Sequence, residues 1–112
     1  MSEERATELE IDSTVFADLQ AHAARLRVLD VREPWETEIC ALDGSLKIPM
    51  GQIPTRLAEL PRDEILVVVC HHGQRSLQVA LGLRGQGFAS ATSLAGGIDA
   101  WAAAQAPDMA RY

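Results

Sequence analysis

A cysteine at the end of an apolar run is the residue of this sequence best suited to carry out chemistry. The segment Ile65–Val69 is typical of a fully buried strand, and Cys70 follows it directly. A helical pattern begins at Ser76, so Cys70 is predicted to lie between the carboxyl end of a strand and the amino end of a helix. Open α/β sheets bind their ligands at this end of the strands.

The residues after Cys70 have the composition of an anion-binding loop. A helix amino end carries unpaired N–H groups and a partial positive charge, and a tight loop can point more N–H groups inward. Gly73 permits such a turn, and Arg75 adds a planar fork of donors. We therefore expect Cys70 to ionise readily and to act as a nucleophile, rather than as a buried structural cysteine. The predicted loop that binds the anionic substrate comprises His71, His72, Gly73, Gln74, Arg75 and Ser76.

Three segments of the chain resemble the motifs of the rhodanese (thiosulfate sulfurtransferase-like) family. Residues 70–76, CHHGQRS, look like its active-site loop. Residues 29–36, LDVREPWE, are similar to its LDVREPxE element, and residues 94–101, LAGGIDAW, resemble its GG-x-x-x-W element. Residues 41–45, ALDGS, depart from the family's HIPGA. The three motifs occur in the family's order and cover most of the chain.

The resemblance implies sulfur transfer through a persulfide on Cys70. The thiolate would attack the outer sulfur of thiosulfate, and sulfite would leave; with another persulfide donor, the thiolate of that donor would leave instead. The persulfide would then pass its sulfur to cyanide, a thiol or a partner protein. This chemistry needs no metal and no organic cofactor.

Other functions remain open. The domain could be a persulfide carrier or a binding module for a partner protein, although inactive rhodanese-like domains generally lack the cysteine. Phosphatase and arsenate reductase relatives have five residues between Cys and Arg; here there are four, His71 to Gln74, which favours a single sulfur atom over a tetrahedral oxyanion. A metal site made of Cys70, His71 and His72 is not predicted, because adjacent residues seldom converge on one ion and spaced ligand pairs are missing.

Several further residues could border the pocket. Asp30 and Arg32 end another predicted strand, and Asp30 is interpreted as a structural hydrogen-bond acceptor. Arg32 either draws in the anion or is a solvated side chain. Trp35 either forms an apolar wall of the site or is a simple packing residue. His71 and His72 either add charge when protonated or are exposed loop side chains.

Composition predicts a single domain over residues 8–112, preceded by a disordered N-terminus at residues 1–7. The chain has 112 residues, a formal net charge of -6 and a pI of about 4.9. This acidity argues against nucleic acid and anionic membranes as partners, and no signal or membrane-spanning segment is evident. The two cysteines, Cys40 and Cys70, form no disulfide framework, so a cytoplasmic location is expected. Cys40 is interpreted as passive rather than as a resolving thiol.

The pattern predicts an α/β fold with a five-stranded, mostly parallel sheet and helices on both faces, as the rhodanese-like resemblance also implies. Ile65–Val69 is the most apolar strand and should be central. Ile53, Leu57 and Leu60 predict a helix, and Gly82 and Gly85 suggest close packing of a later helix against the sheet. Met109 and Tyr112 either lie on the surface or pack near the site. The predicted strands are residues 8–11, 27–31, 46–48, 65–69 and 90–94.

Overall fold

The computed structural model describes residues 8–112, so the predicted disordered segment at residues 1–7 lies outside the described residues. Strands and helices alternate along the chain, as the sequence predicts. The strands are β1 Glu10–Ile11, β2 Leu26–Asp30, β3 Leu46–Lys47, β4 Ile65–Val69 and β5 Ala91–Leu94. The α-helices are α1 Ser13–His22, α2 Pro34–Ile39, α3 Gln74–Gly85 and α4 Gly97–Gln105, and two 3-10 helices span Met50–Thr55 and Leu57–Glu59.

The five strands form one parallel sheet in the order β1-β5-β4-β2-β3. This confirms the predicted fold class and the central position of β4. The carboxyl ends of β4 and β2 lie side by side, because Asp30 is in register with Val69. The loops after these two strands therefore meet at one edge of the sheet, where open α/β folds place their sites.

Successive residues of β4 face opposite sides of the sheet, as the pleat requires. Leu66, Val68 and Cys70 pack into the core that α3 covers. Val67 and Val69 pack into the second core, which α1 and α4 cover. Cys70 thus leaves the strand on the α3 side, and this orientation directs its sulfur towards the amino end of that helix.

Local capping explains where several helices begin and end. The Asp12 carboxylate accepts a hydrogen bond from Val15 N at 2.8 Å and caps α1. Pro34 occupies the first turn of α2, where its missing N–H costs no intrahelical hydrogen bond. Gly87, with φ +93, follows the end of α3 in the left-handed conformation that favours glycine, and this conformation ends the helix.

The predicted α-helix over residues 53–60 is wrong, because two short 3-10 helices occupy this stretch. Gly51 and Pro54 both lie inside the first of them, and Pro54 lacks the N–H that an α-helix would use. At the end of the first 3-10 helix, Arg56 N donates to Ile53 O, three positions earlier, as in a 3-10 helix and not four positions earlier as in an α-helix. Ile53 and Leu60 are nevertheless buried, as their spacing predicts.

Helix α3 also differs from the sequence prediction in two respects. It begins at Gln74 rather than at Ser76, because Gly73 adopts φ +101 and caps it. A Cβ added at Gly82 or Gly85 would meet nothing within 4 Å. Close packing against the sheet therefore does not explain these two glycines. No helix in residues 8–112 is both long enough and apolar enough to span a membrane.

Candidate functional site

Cys70 lies immediately after β4 and is almost completely buried, with 1% of its surface exposed. Its Sγ accepts hydrogen bonds from Gly73 N at 3.1 Å and from Ser76 N at 3.3 Å. The thiol lies 3.4 Å from Ser76 Oγ, which in turn lies 2.7 Å from Ser93 Oγ. The loop therefore surrounds this one sulfur atom with donors, and such donors stabilise a thiolate.

The loop around Cys70 is held by the amino end of α4. Ile98 N donates to Cys70 O at 2.9 Å, and Asp99 N donates to His71 O at 3.2 Å. Gly97, with φ +63, permits this close approach, since a Cβ there would meet the carbonyl oxygens of His71 and Cys70. The Gly96-Gly97 pair thus places α4 directly against the loop.

Arg75 does not present a free charge to the site. Its two terminal nitrogens donate to the two carboxylate oxygens of Glu36, each at 2.8 Å. The hydrogen bond from Arg75 is the main cause that lowers the pKa of Glu36 to about 2, and the same bond raises the pKa of Arg75. The permanent cation that the sequence predicts is present, but a buried carboxylate compensates its charge.

Glu36 also binds residues far from the loop. It accepts a hydrogen bond from Tyr112 Oη at 2.8 Å and another from Glu33 N at 2.9 Å. Tyr112 Oη in turn accepts a hydrogen bond from Arg32 at 3.0 Å. Burial is the main cause that raises the pKa of Tyr112. The site is therefore backed by a chain of hydrogen bonds from Arg75 through Glu36 and Tyr112 to Arg32.

The sequence interpretation of Arg32 as a solvated side chain is wrong. Its side chain is fully buried and forms an ion pair with Asp30 at 2.7 Å. It also donates to Cys40 O at 2.7 Å and to Glu36 O at 3.3 Å. Burial by itself would lower the pKa of Arg32, but the hydrogen bonds that Arg32 donates to Asp30 and Tyr112 outweigh burial and raise the pKa. This geometry favours a structural role for Asp30 and Arg32 behind the site.

A stack of rings lines one side of the loop. The rings of His71 and Tyr112 stack with centroids 3.9 Å apart and an interplanar angle of 13°, and those of His71 and His72 stack at 3.8 Å and 28°. His72 is exposed, as one interpretation expects, but His71 is only partly exposed and its Nε2 is buried. Trp35 is 59% exposed, and its ring meets that of Tyr112 edge-on with the centroids 5.7 Å apart.

Cys40 is partly buried and packs against the second core. Its Sγ lies 3.8 Å from Arg32 Nη1, and both cysteines are free thiols. Trp101 also packs against this core, 5.0 Å from the ring of Phe16.

Two residues of the site, Glu36 and Ser93, were not among the sequence candidates, and Tyr112 was named only as a residue that either lies on the surface or packs near the site. Glu36 is the last residue of the 29–36 motif, so the motif itself was an available signal. Ser93 lies in a strand of ordinary composition, and no local pattern marks it. Tyr112 contacts Glu36 across 76 positions of the chain, which local sequence patterns do not reveal.

Comparison with known proteins identifies the family. Residues 14–104 match the family described as Rhodanese-like domain. A sulfurtransferase of Allochromatium vinosum is 37% identical over 93 residues, which cover 83% of this chain and 87% of that protein. The probable adenylyltransferase/sulfurtransferase MoeZ of Mycobacterium tuberculosis is 40% identical over 90 residues, which cover 79% of this chain. The chain spans only 23% of the length of MoeZ.

The fold comparison agrees with the sequence comparison. The crystal structure of a rhodanese-related protein from Thermoplasma volcanium has a TM-score of 0.77 and 31% identity, and the match covers 88% of this chain and 94% of that one. The motifs, the sheet and these relatives together show that the chain belongs to the Rhodanese-like domain family, several of whose members are sulfurtransferases.

Proposed function

We propose that this protein transfers a sulfane sulfur from thiosulfate, or from another persulfide donor, to a thiophilic acceptor through a persulfide on Cys70. The observation that carries the proposal is the pair of N–H groups, from Gly73 and Ser76, that donate to Cys70 Sγ. Preorganised donors aimed at a reacting atom stabilise the charge that develops there. Cys70 is thus the nucleophile, and the backbone of the loop is its electrostatic support.

The reaction has two displacement steps. In the first, the Cys70 thiolate forms a bond to the outer sulfur of thiosulfate while the sulfur–sulfur bond of the donor breaks, and its electron pair leaves with sulfite. In the second, an acceptor such as cyanide or a thiol attacks the outer sulfur of the persulfide. The bond to Cys70 Sγ then breaks, and the thiolate is regenerated.

Because the arginines near the loop are paired with carboxylates, the backbone rather than the side chains stabilises negative charge on Cys70. Arg75 shares its charge with Glu36, and Arg32 shares its charge with Asp30. The backbone N–H groups of Gly73 and Ser76 instead donate directly to Cys70 Sγ, so no carboxylate competes for them. We therefore assign stabilisation of the thiolate and of the persulfide mainly to the loop backbone.

The decisive experiment is intact-protein mass spectrometry after incubation with thiosulfate. The wild-type protein should gain one sulfur atom, and cyanide should remove it as thiocyanate. Cys70→Ser should gain nothing, whereas Cys40→Ser, the matched control for the other thiol, should behave as wild type. If wild type gains no sulfur while Cys70 remains open to alkylation, thiosulfate is not the donor. Turnover of a phosphate ester or of arsenate would then favour a phosphatase or an arsenate reductase over a sulfurtransferase.

A second candidate function is that of a persulfide carrier for a partner protein. The observation that favours it is that the chain spans 23% of the length of the larger relative MoeZ, whereas the 1% exposure of Cys70 suits a small acceptor better than a bulky one. A persulfide that forms on Cys70 but turns over slowly with cyanide and low-molecular-weight thiols would favour this carrier role. Rapid turnover with cyanide would favour the complete sulfurtransferase.

A further inference from the structure

Three potential metal ligands lie together at the rim of the loop: His71, His72 and Asp99. Each offers one ligand atom, and these three atoms lie within 4.8 Å of one another. Asp99 belongs to α4, which the 94–101 motif introduces, and sequence patterns alone do not place it beside the histidines. The proposed sulfur transfer gives this cluster no role.

The backbone fixes the three residues relative to one another. Asp99 N donates to His71 O at 3.2 Å, so the amino end of α4 is attached to the histidine pair. The ring of His71 is stacked on that of Tyr112, with the two centroids 3.9 Å apart. The orientation of His71 is therefore set before any ligand arrives, which reduces the entropy that binding must remove.

His71 has an unused polar atom. Its Nε2 is buried and has no hydrogen-bond partner among residues 8–112. Buried polar atoms are seldom left without a partner, because their desolvation is unfavourable. A metal ion is one ligand that would satisfy an imidazole nitrogen without a hydrogen-bond partner.

Asp99 keeps one carboxylate oxygen available. Arg111 donates twice to Oδ1, at 3.1 and 2.9 Å. Oδ2 faces His72 instead, 3.8 Å from Nε2. The hydrogen bond from Arg111 is also the main cause that lowers the pKa of Asp99, so the carboxylate is ionised near neutral pH.

We propose that His71, His72 and Asp99 form a binding site for Zn²⁺, with two imidazole nitrogens and one carboxylate oxygen as protein ligands and water completing the coordination. Imidazole favours Zn²⁺ over Mg²⁺ and Ca²⁺, which prefer all-oxygen sites. Bonds from Zn²⁺ to nitrogen or oxygen are about 2.0–2.2 Å long. The ligand atoms of a tetrahedral site therefore lie closer to one another than the three ligand atoms do in this structure. The exposed side chain of His72 can rotate to close this difference.

The proposed ligands are nitrogen and oxygen atoms and include no cysteine thiolate, so this proposal does not depend on the sulfurtransferase proposal. The ligands exclude Cys70, so the test is made in a Cys40→Ser/Cys70→Ser background, in which no thiol can bind the ion. Zn²⁺ is titrated against a chromophoric chelator. The expected result is one saturable site per chain, and the absence of saturable binding would overturn the proposal.

Variants in the same background identify the ligands. His72→Gln and Asp99→Asn should each weaken Zn²⁺ binding by at least about tenfold, since even residues that merely orient metal ligands change affinity by about 10–100-fold. His22→Gln is the matched control, because His22 pairs with Asp18 at 3.1 Å outside the cluster. Equal weakening by His22→Gln and His72→Gln would mean adventitious binding to surface histidines and would overturn the proposal.

A substitution of Arg111 tests whether Zn²⁺ binding depends on the three ligands or on the ion pair beside them. Arg111→Gln removes the ion pair with Asp99 but keeps all three ligands, so binding should be unchanged or tighter. In the wild-type protein, Co²⁺ should show the visible spectrum of nitrogen and oxygen ligands. An intense sulfur-to-cobalt charge-transfer band would instead place the ion on a cysteine and contradict the assignment.

Discussion

At the scale of single residues, Glu36 connects the loop after β4 to the C-terminal residue Tyr112. Its carboxylate holds Arg75 through two hydrogen bonds and also binds Tyr112 and the backbone of Glu33. It is 3% exposed, so its charge depends on these partners rather than on water. Loss of the charge should therefore affect both stability and the position of Arg75.

Glu36→Gln should lower the free energy of unfolding at neutral pH by about 1.5–3 kcal/mol, the range for hydrogen bonds to a charged group. The folded protein lowers the pKa of Glu36 from 4.5 to about 2. The carboxylate therefore stabilises the folded state above pH 4.5, and this contribution is lost as the pH falls towards 2. Urea unfolding of wild type and variant at pH 7 and at pH 3 should show the difference shrinking at the lower pH.

Glu59→Gln is the control for this experiment. Glu59 also forms an ion pair with an arginine, Arg56, but at the surface. Surface ion pairs contribute little to stability, so Glu59→Gln should leave the urea midpoint nearly unchanged. A loss as large as that of Glu36→Gln would contradict the special role given to the buried carboxylate.

Tyr112 makes two separable contributions, one through its hydroxyl and one through its ring. Tyr112→Phe removes the hydrogen bonds to Glu36 and Arg32 but keeps the stack on His71, and it should cost about 0.5–1.5 kcal/mol of unfolding free energy. Tyr112→Leu removes both and should cost about 0.5–1.5 kcal/mol more. Chemical denaturation measures both values. Identical values for the two variants would mean that the ring contributes nothing.

At the scale of elements, the turn between β5 and α4 determines how closely α4 approaches the loop after β4. Gly97 is required there, because its φ of +63 and the carbonyl oxygens of Cys70 and His71 leave no room for a Cβ. The glycines inside α3 are different, since the space around Gly82 is open. The two positions therefore predict opposite effects of the same substitution.

Gly97→Ala should destabilise the protein by about 1–3 kcal/mol, the cost of a residue held in an unfavourable backbone conformation, and should slow sulfur loading of Cys70. Gly82→Ala should instead stabilise it by about 0.5–1 kcal/mol, because alanine is the better helix former. Thermal or urea unfolding gives the first effect, and intact-mass kinetics with thiosulfate give the second. Unimpaired loading in Gly97→Ala would mean that α4 does not position the loop.

At the scale of the whole molecule, net charge opposes the proposed donor. The formal charge is -6, and the arginines nearest the loop, Arg75 and Arg32, are both paired with carboxylates. The long-range field should therefore repel a thiosulfate dianion, and only the short-range N–H donors of the loop attract it. Salt screens the long-range part without reaching the buried donors.

Added inert salt should therefore raise kcat/KM for thiosulfate. The increase should be clearest between about 10 mM and 0.1 M, where the Debye length falls from about 30 Å to 10 Å. The matched measurement uses an uncharged persulfide donor, whose kcat/KM should change little. A steep fall of kcat/KM for thiosulfate with salt would instead indicate a positive field that guides the donor in.

The sequence by itself determined the main features of this protein, because they depend on local patterns. The apolar run Ile65–Val69 predicted the central strand, and Cys70 with Gly73 predicted a loop of inward N–H groups. Hydrophobic periodicity and turn chemistry act over a few residues, so they can be read without knowing the fold. The same locality misled the prediction at residues 53–60, where apolar spacing suggested an α-helix although Gly51 and Pro54 favour a 3-10 helix.

Only the tertiary structure decided which partners the charged and aromatic groups choose. Arg75 is paired with a carboxylate 39 positions away, and Tyr112 reaches Glu36 across 76 positions. Asp99 likewise comes to the histidine pair because Gly97 lets α4 approach the loop. Such pairings depend on how the sheet brings distant loops to one edge, and the energy of a buried charge depends on the partner it finds there. The neighbours of a charged or aromatic residue in the chain therefore encode neither its partner nor the energy of its burial.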